Sequence, residues 1–460
     1  MLRQIAKPSL SIDDKVREQR PLDFGDGSLP VFRDPAFMEN RDVPVHRWVP
    51  WIAGFSVSFV EDCFKAYLPT APSRRCKVLD PFAGVGTTIV AALRAGHDAV
   101  GFEINPYAAL ACRAKVEAID LDIAALSATI GRYEHESRNG SRTAKGSKPA
   151  GFESRIEFFS PQVEAQVHGF FQFLATVDSP AISDLLKVAF GSVMVSFSNY
   201  TYEPSLGTRP GAGKPLIESA DVHAAVLLKL RKMLADTKWL QAEVKPDATP
   251  IAAIHATTFM DAPTIIEEGS IDLAVTSPPY LNNYHYIRST RPHLYWLGLL
   301  GSRSDLRNLE EENVGKYWQT VRAKAPISLD FEDPELQLTL DRIRQTRTDK
   351  GVYGGGGWAN YAASYFNDSA RFLGALSHCL ASGGRAVIVV GNSIIQGHEI
   401  KVEEILGRIA PRYGLALDRI ETLRTKRVGA SITKSTVRRG ETSPASLYES
   451  AVVVERRSRR

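Results

Sequence analysis

At 460 residues, with 44% hydrophobic and 23% charged residues, the chain can bury a large core and has the balance of a soluble globular protein, which excludes a disordered or collagen-like one. The formal net charge of +4 permits a polyanionic partner without demanding one. Cys63, Cys76, Cys112 and Cys379 are scattered without metal-ligand spacing, and no stretch reads as a signal peptide or as an apolar run long enough to cross a bilayer. The expectation is a cytoplasmic protein with no metal and no membrane partner.

In chain order, residues 1–44 are polar and proline-punctuated and read as an arm. Short apolar runs then predict strands at 78–80, 99–103, 251–255, 271–276, 385–391 and 451–455, with a further one near 416–423. Helix-period segments lie between several of them, such as 402–409, which Pro411 ends. The alternation predicts an α/β fold: a mostly parallel sheet covered by helices on both faces, with the last two strands forming an antiparallel edge. Two insertions interrupt the plan. The first, 106–250, holds a Ser/Gly/Lys/Arg-rich linker at 137–148, expected to be mobile, and helices near 181–195 and 221–235. Between those helices, Tyr200, Tyr202 and Arg209 lie in a non-periodic loop that suits either base contacts or ordinary packing. The second, 281–370, carries four consecutive glycines, Gly354 to Gly357, before Trp358; they would hinge a lid or make a turn. Basic residues cluster at Arg424, Lys426 and Arg427, where phosphate contacts would be salt-dependent, and again in a tail expected to fray.

Two strand exits carry chemistry. After the strand at 78–80 comes Asp80-Pro81-Phe82-Ala83-Gly84-Val85-Gly86-Thr87-Thr88 and then a helix. Gly84 and Gly86 let the backbone approach a ligand, Thr87 and Thr88 are candidate N-caps, and the helix start offers free N–H groups. A third glycine and a Gly-Lys-Ser/Thr are both missing, so this is neither a dinucleotide fingerprint nor a P-loop. The next strand ends at Glu103, about 20 residues beyond the glycine turn, where a carboxylate can accept both ribose hydroxyls of an adenosine ligand. Asn105-Pro106 starts the following helix. The second exit is Thr276-Ser277-Pro278-Pro279-Tyr280. Two prolines fix φ and remove two donors, leaving carbonyls in a set geometry. A hydroxyl before them and an aromatic ring after them can hold a flat, amino-bearing ring, or can be a plain strand exit.

These stretches, together with Gly101-Phe102-Glu103-Ile104-Asn105, resemble the cofactor and catalytic motifs of amino-group DNA methyltransferases, which move a methyl group from S-adenosyl-L-methionine to N4 of cytosine or N6 of adenine. The resemblance covers a third to a half of the chain. It implies a Rossmann-like class I methyltransferase fold, with Asp80, Pro81, Phe82, Gly84, Gly86, Thr87, Thr88, Glu103 and Asn105 at the cofactor and Ser277, Pro278, Pro279 and Tyr280 at the reacting base. Phe82 would lie against the cofactor, and Tyr280 would clamp the base face. Asp261 stands where the family places an acid for the adenine amino group, or else is an N-cap. His46-Arg47-Trp48 and Trp51 through Ser56 resemble a cofactor-side motif, or form an aromatic segment packed on the sheet. Ser-Pro-Pro-Tyr is more typical of the N4-cytosine enzymes. Implied partners are double-stranded DNA and a cognate restriction endonuclease or defence system. The absence of a Pro-Cys pair argues against the cytosine C5 enzymes, which use a thiolate. Adenine N6 methylation, an RNA amino methyltransferase, a protein glutamine methyltransferase and a non-catalytic DNA-binding component are the competing readings. The expected domains are the arm 1–44, a cofactor half 45–105, the insertion 106–250, catalytic strands 251–280, the insertion 281–370, and a C-terminal core part 371–460.

Overall fold

The computed structural model describes residues 32–51, 54–69, 74–138, 143–202, 205–244, 250–281, 285–426 and 446–457. Its centre is a seven-stranded sheet: β1 (Lys77–Asp80), β2 (Asp98–Phe102), β3 (Ala252–His255), β4 (Ile271–Thr276), β5 (Leu380–Gly391), β6 (Leu415–Lys426) and β7 (Leu447–Arg456). The spatial order is β6-β7-β5-β4-β1-β2-β3. β3, β2, β1, β4 and β5 run parallel, and β7 is antiparallel to both β5 and β6. This is the Rossmann-like class I methyltransferase architecture, with the antiparallel edge that the sequence predicts. All seven expected strands are present.

The strands are apolar on both faces because both faces are covered. Val78, Leu273, Val275, Val387, Val389, Ala451 and Val453 point to one side and pack with the helices Val57–Tyr67 and Thr87–Arg94. Their neighbours Leu79, Ala274, Ala386, Ile388, Val390, Val452 and Val454 point to the other side, against Gly355–Cys379 and Val402–Ile409. Each fully buried Val or Leu contributes roughly 1.5–3 kcal/mol. The period of two therefore fixes which helix each residue meets.

The first insertion is a helical unit with a core of its own, built from Ile123–Arg138, Pro161–Leu174, Pro180–Val193 and Val222–Glu243. The first two of these helices were not expected. Pro106–Glu117, counted with the insertion from sequence, bridges unit and sheet: Cys112 packs with the sheet core, while Tyr107, Leu110 and Ala111 face the helices. Part of the 137–148 linker, residues 139–142, lies outside the described residues; in the remainder the Ala144 N–H donates to the Ala165 carbonyl. The expectation of no bilayer-length apolar run needs correction at Pro180–Phe197, which is long and apolar enough. Its Ile182, Leu185, Leu186, Ala189 and Phe190 are buried within the helical unit, as in a core helix.

The four glycines stand at a helix start rather than in a loop. Gly354 caps and Gly355–Gly357 open a 25-residue helix. A Cβ on Gly354, Gly355 or Gly357 would run into the carbonyls of Arg347, Ile343 and Val352, so small size serves close backbone packing. The end of the expected arm also packs: Phe32 and Asn40 are buried, and Arg33 is bound by Asp62.

Candidate active site

β1 lies between β2 and β4, so the loops leaving the carboxyl ends of all three strands converge, as ligand sites do in open α/β sheets. Asp80 and Thr276 end neighbouring strands. The Thr276 hydroxyl donates to the buried Asp80 carboxylate at 2.8 Å, and the Phe82 N–H donates to the same oxygen at 3.1 Å. One carboxylate thus ties both motif loops to the sheet edge. Burial pushes the Asp80 carboxyl up to about 6, against the pull of its hydrogen bonds from Thr276 and Phe82.

Gly84 and Gly86 both have positive φ, +51° and +86°. A Cβ on Gly86 would also stand 2.7 Å from Cys112 Sγ, and one on Gly84 would stand 3.1 Å from the Trp51 indole nitrogen. The N-cap of Thr87–Arg94 is Gly86 itself. Neither threonine caps the helix. Thr88 instead donates to the Val275 carbonyl at 3.2 Å, tying the helix to β4, and Thr87 lines the cleft.

Glu103 accepts from the Gly84 N–H at 2.8 Å and from the Asn105 N–H at 2.7 Å. Its carboxylate holds the glycine turn on one side and the next helix start on the other. Burial raises it to about 7, opposed by those two N–H groups and reinforced by Asp80. Asn105 caps Pro106–Glu117 through the Tyr107 N–H at 3.1 Å, and its amide donates to Thr290 at 2.8 Å.

A cleft joins these parts. Asp80, Pro81, Phe82, Gly84, Thr87, Glu103 and Asn105 line it, and so do Ser277 and Pro279. Phe82 is braced by Phe372, with ring centroids 5.4 Å apart. Trp51, Gly54 and Phe55 also line the cleft, whereas Trp48 is fully buried with its indole N–H on Asp236. The aromatic segment therefore divides between cleft wall and core. Asp261 does not line the cleft: it is exposed, makes no side-chain cap, and accepts from the Thr257 hydroxyl at 2.7 Å. Thr257 and Thr258 line the wall instead. Sequence reasoning passed over them because no acid marks them, and it passed over Tyr286, which stacks on Trp51 at 5.9 Å, and Asn313 and Val314 from the second insertion. The last two carry no local signal.

Tyr280 is 8% exposed, and its ring lies on Gly391 at the end of β5. Its hydroxyl receives the Ser277 hydroxyl at 3.3 Å. The remaining candidates sit apart from the cleft floor. Tyr200 and Tyr202 form one strand of a small hairpin with Leu206–Thr208 where a loop was expected. Tyr200 accepts from the Arg155 N–H, Tyr202 donates to the Ser289 carbonyl, and Arg209 donates to the Pro215 carbonyl. Arg424, expected among the phosphate contacts, is ion-paired with Glu449 and Asp34, because cross-strand register puts a carboxylate beside it. The Lys426 backbone ends β6, while Arg427 lies outside the described residues. Among the described residues no group of three or more His, Cys, Asp or Glu side chains could hold a metal.

The cleft fits S-adenosylmethionine on its own terms. A carboxylate with two fixed lone-pair partners stands at the end of β2, glycines keep the floor free of Cβ atoms, and aromatic rings line the walls. The DNA methylase family model for N6/N4 methyltransferases matches residues 54–112, the segment that supplies Phe55, Phe82, the glycine turn and Glu103. The chain is 22% identical over 431 residues to the type II methyltransferase M.BsoBI of Geobacillus stearothermophilus, covering 86% of this chain and 83% of that protein. It is 24% identical over 423 residues to the type II methyltransferase M.AvaI of Nostoc sp., covering 86% and 84%. A solved structure of the rRNA methyltransferase aviRa from Streptomyces viridochromogenes aligns over 88% of this chain and 87% of that one, at 10% identity and a TM-score of 0.31. Over these stretches the chain is similar to amino-group DNA methyltransferases, whose methyl donor is S-adenosylmethionine.

Proposed function

We propose that the protein methylates N4 of cytosine in double-stranded DNA, as the modification enzyme of a type II restriction-modification system. The observation that carries this reading is one cleft shared by Gly84 and Ser277, at the ends of adjacent parallel strands. The type II methyltransferases M.BsoBI and M.AvaI, similar over most of both chains, support the biological setting, and serine before Pro-Pro-Tyr favours cytosine.

S-adenosylmethionine supplies a methyl group already activated by its sulfonium. What this chain must add is position. Glu103 would accept the ribose hydroxyls, with Gly84 and Asn105 holding its carboxylate still. Phe82 and Trp51 would pack on the cofactor's apolar parts, and Thr257 or Thr258 would meet its adenine edge. At the other end, the Ser277 hydroxyl and the Pro278 carbonyl would accept the two N–H bonds of the substrate amino group. That favours a more tetrahedral nitrogen and supports positive charge as it develops. Serine is too weak a base to keep the proton, which leaves to water. A paired base cannot reach the cleft, so it must be extruded, at a cost of about a few kcal/mol.

Incubation of the protein with mixed-sequence duplex DNA and methyl-labelled cofactor, followed by nucleoside analysis, tests this. Label in N4-methylcytosine is the expected result. Label in N6-methyladenine overturns the base assignment, and label only in RNA or protein controls overturns the substrate class.

A further inference from the structure

We infer that Arg424 and Glu449 are positioning residues that set the direction of the Ser277 hydroxyl through Tyr280. The inference rests on the function proposed above and adds a part that the motif does not contain. Arg424 and Glu449 are cross-strand partners on β6 and β7, and Glu449 in turn lies opposite Gly391 on β5. The Tyr280 ring covers Gly391: a Cβ there would stand 3.1 Å and 3.2 Å from two of its ring carbons. Three strands thus place a guanidinium, a buried carboxylate and a phenol in a row that ends at the catalytic turn.

The hydrogens along that row can run only one way. The Arg424 side chain donates to Glu449, whose carboxylate is 3% exposed. A carboxylate only accepts, so the single hydrogen of the Tyr280 hydroxyl goes to Glu449, its hydrogen-bond partner. The Tyr280 oxygen must then accept, and the Ser277 hydroxyl donates to it at 3.3 Å. With its one hydrogen committed, Ser277 turns its lone pairs to the cleft. An exocyclic amino group offers N–H donors and needs that acceptor. Without the row, the serine hydrogen is free to rotate toward the substrate, where donor would meet donor.

The test is single-turnover methyl transfer to a duplex carrying the mapped target site, comparing the natural protein with Tyr280→Phe, Ser277→Ala and the double variant. Tyr280→Phe keeps the ring on Gly391 and removes only the hydroxyl. It should slow transfer about tenfold, the worth of one hydrogen bond, with DNA and cofactor dissociation constants changed less than about twofold. In the Ser277→Ala background the same change should have no further effect. Glu449→Gln, which can still accept from Tyr280, should keep most of the rate, whereas Glu449→Leu should match Tyr280→Phe. Full activity of Tyr280→Phe, or losses that multiply in the double variant, overturns the inference. So does a Tyr280→Phe loss matched by an equal loss of cofactor affinity, which would mark a merely structural role. If the natural protein transfers no methyl group to any DNA, the proposed function itself fails, an outcome distinct from these.

Discussion

The two loops that meet in the cleft are held in different ways. The glycine turn after β1 is secured by near neighbours in sequence: Gly84 by Glu103, Glu103 by Asn105, and Gly86 by its own backbone angle and by Cys112. The Ser-Pro-Pro-Tyr turn after β4 is secured by residues far along the chain. Tyr280 rests on Gly391 and bonds Glu449, and a Cβ on Gly315 would stand 3.3 Å from Pro279. The glycine turn itself is therefore held mostly by local contacts, while the reacting geometry depends on the far side of the sheet. The two should fail separately.

The strongest way to break that contrast is Glu103→Ala. It removes charge-assisted hydrogen bonds and should weaken cofactor binding about 100-fold by calorimetry, while the rate at saturating cofactor falls far less. Equal losses in affinity and rate would mean that the two loops act as one unit.

A pH series sharpens the same side. Burial raises Glu103 from 4.5 to about 7. Its stabilising contribution is therefore fully present below about pH 4.5 and lost as pH rises through 7. Cofactor binding has the opposite sign, because only the ionised carboxylate accepts hydroxyl hydrogens with both oxygens. Affinity should rise about tenfold from pH 6 to 8, and Glu103→Gln should flatten that rise. A slope that survives in Glu103→Gln would exclude Glu103 as its source.

On the other loop, Gly391→Ala pushes a methyl group against the Tyr280 ring and should slow transfer about five- to tenfold with cofactor affinity intact. A loss of affinity instead of rate would reverse the assignment of the two loops. The smallest effect is expected from Thr290→Ala, which removes the hydrogen bond that the Asn105 side-chain amide donates to the second insertion. About threefold weaker cofactor binding, with little change in rate, would show the insertion bracing the cofactor side.

The sequence by itself determined the sheet and both loops. Strand runs, glycine spacing, Glu103 and the double proline are short-range signals, because period and backbone angle are properties of neighbouring residues. It also pointed to an adenosine ligand, through a carboxylate at the end of the second strand, and the motif resemblance implied the methyl donor. Only the tertiary structure decided what lies across strands. Arg424 reads as a free basic residue until register sets Glu449 beside it. Gly354 to Gly357 read as a hinge or a turn until the carbonyls they pack against are known. Asp261 reads as a ligand or an N-cap until it is found exposed, bonded to Thr257 and outside the cleft lining. In each case the deciding partner approaches through space, and no local pattern encodes which side chain a folded sheet will bring opposite another.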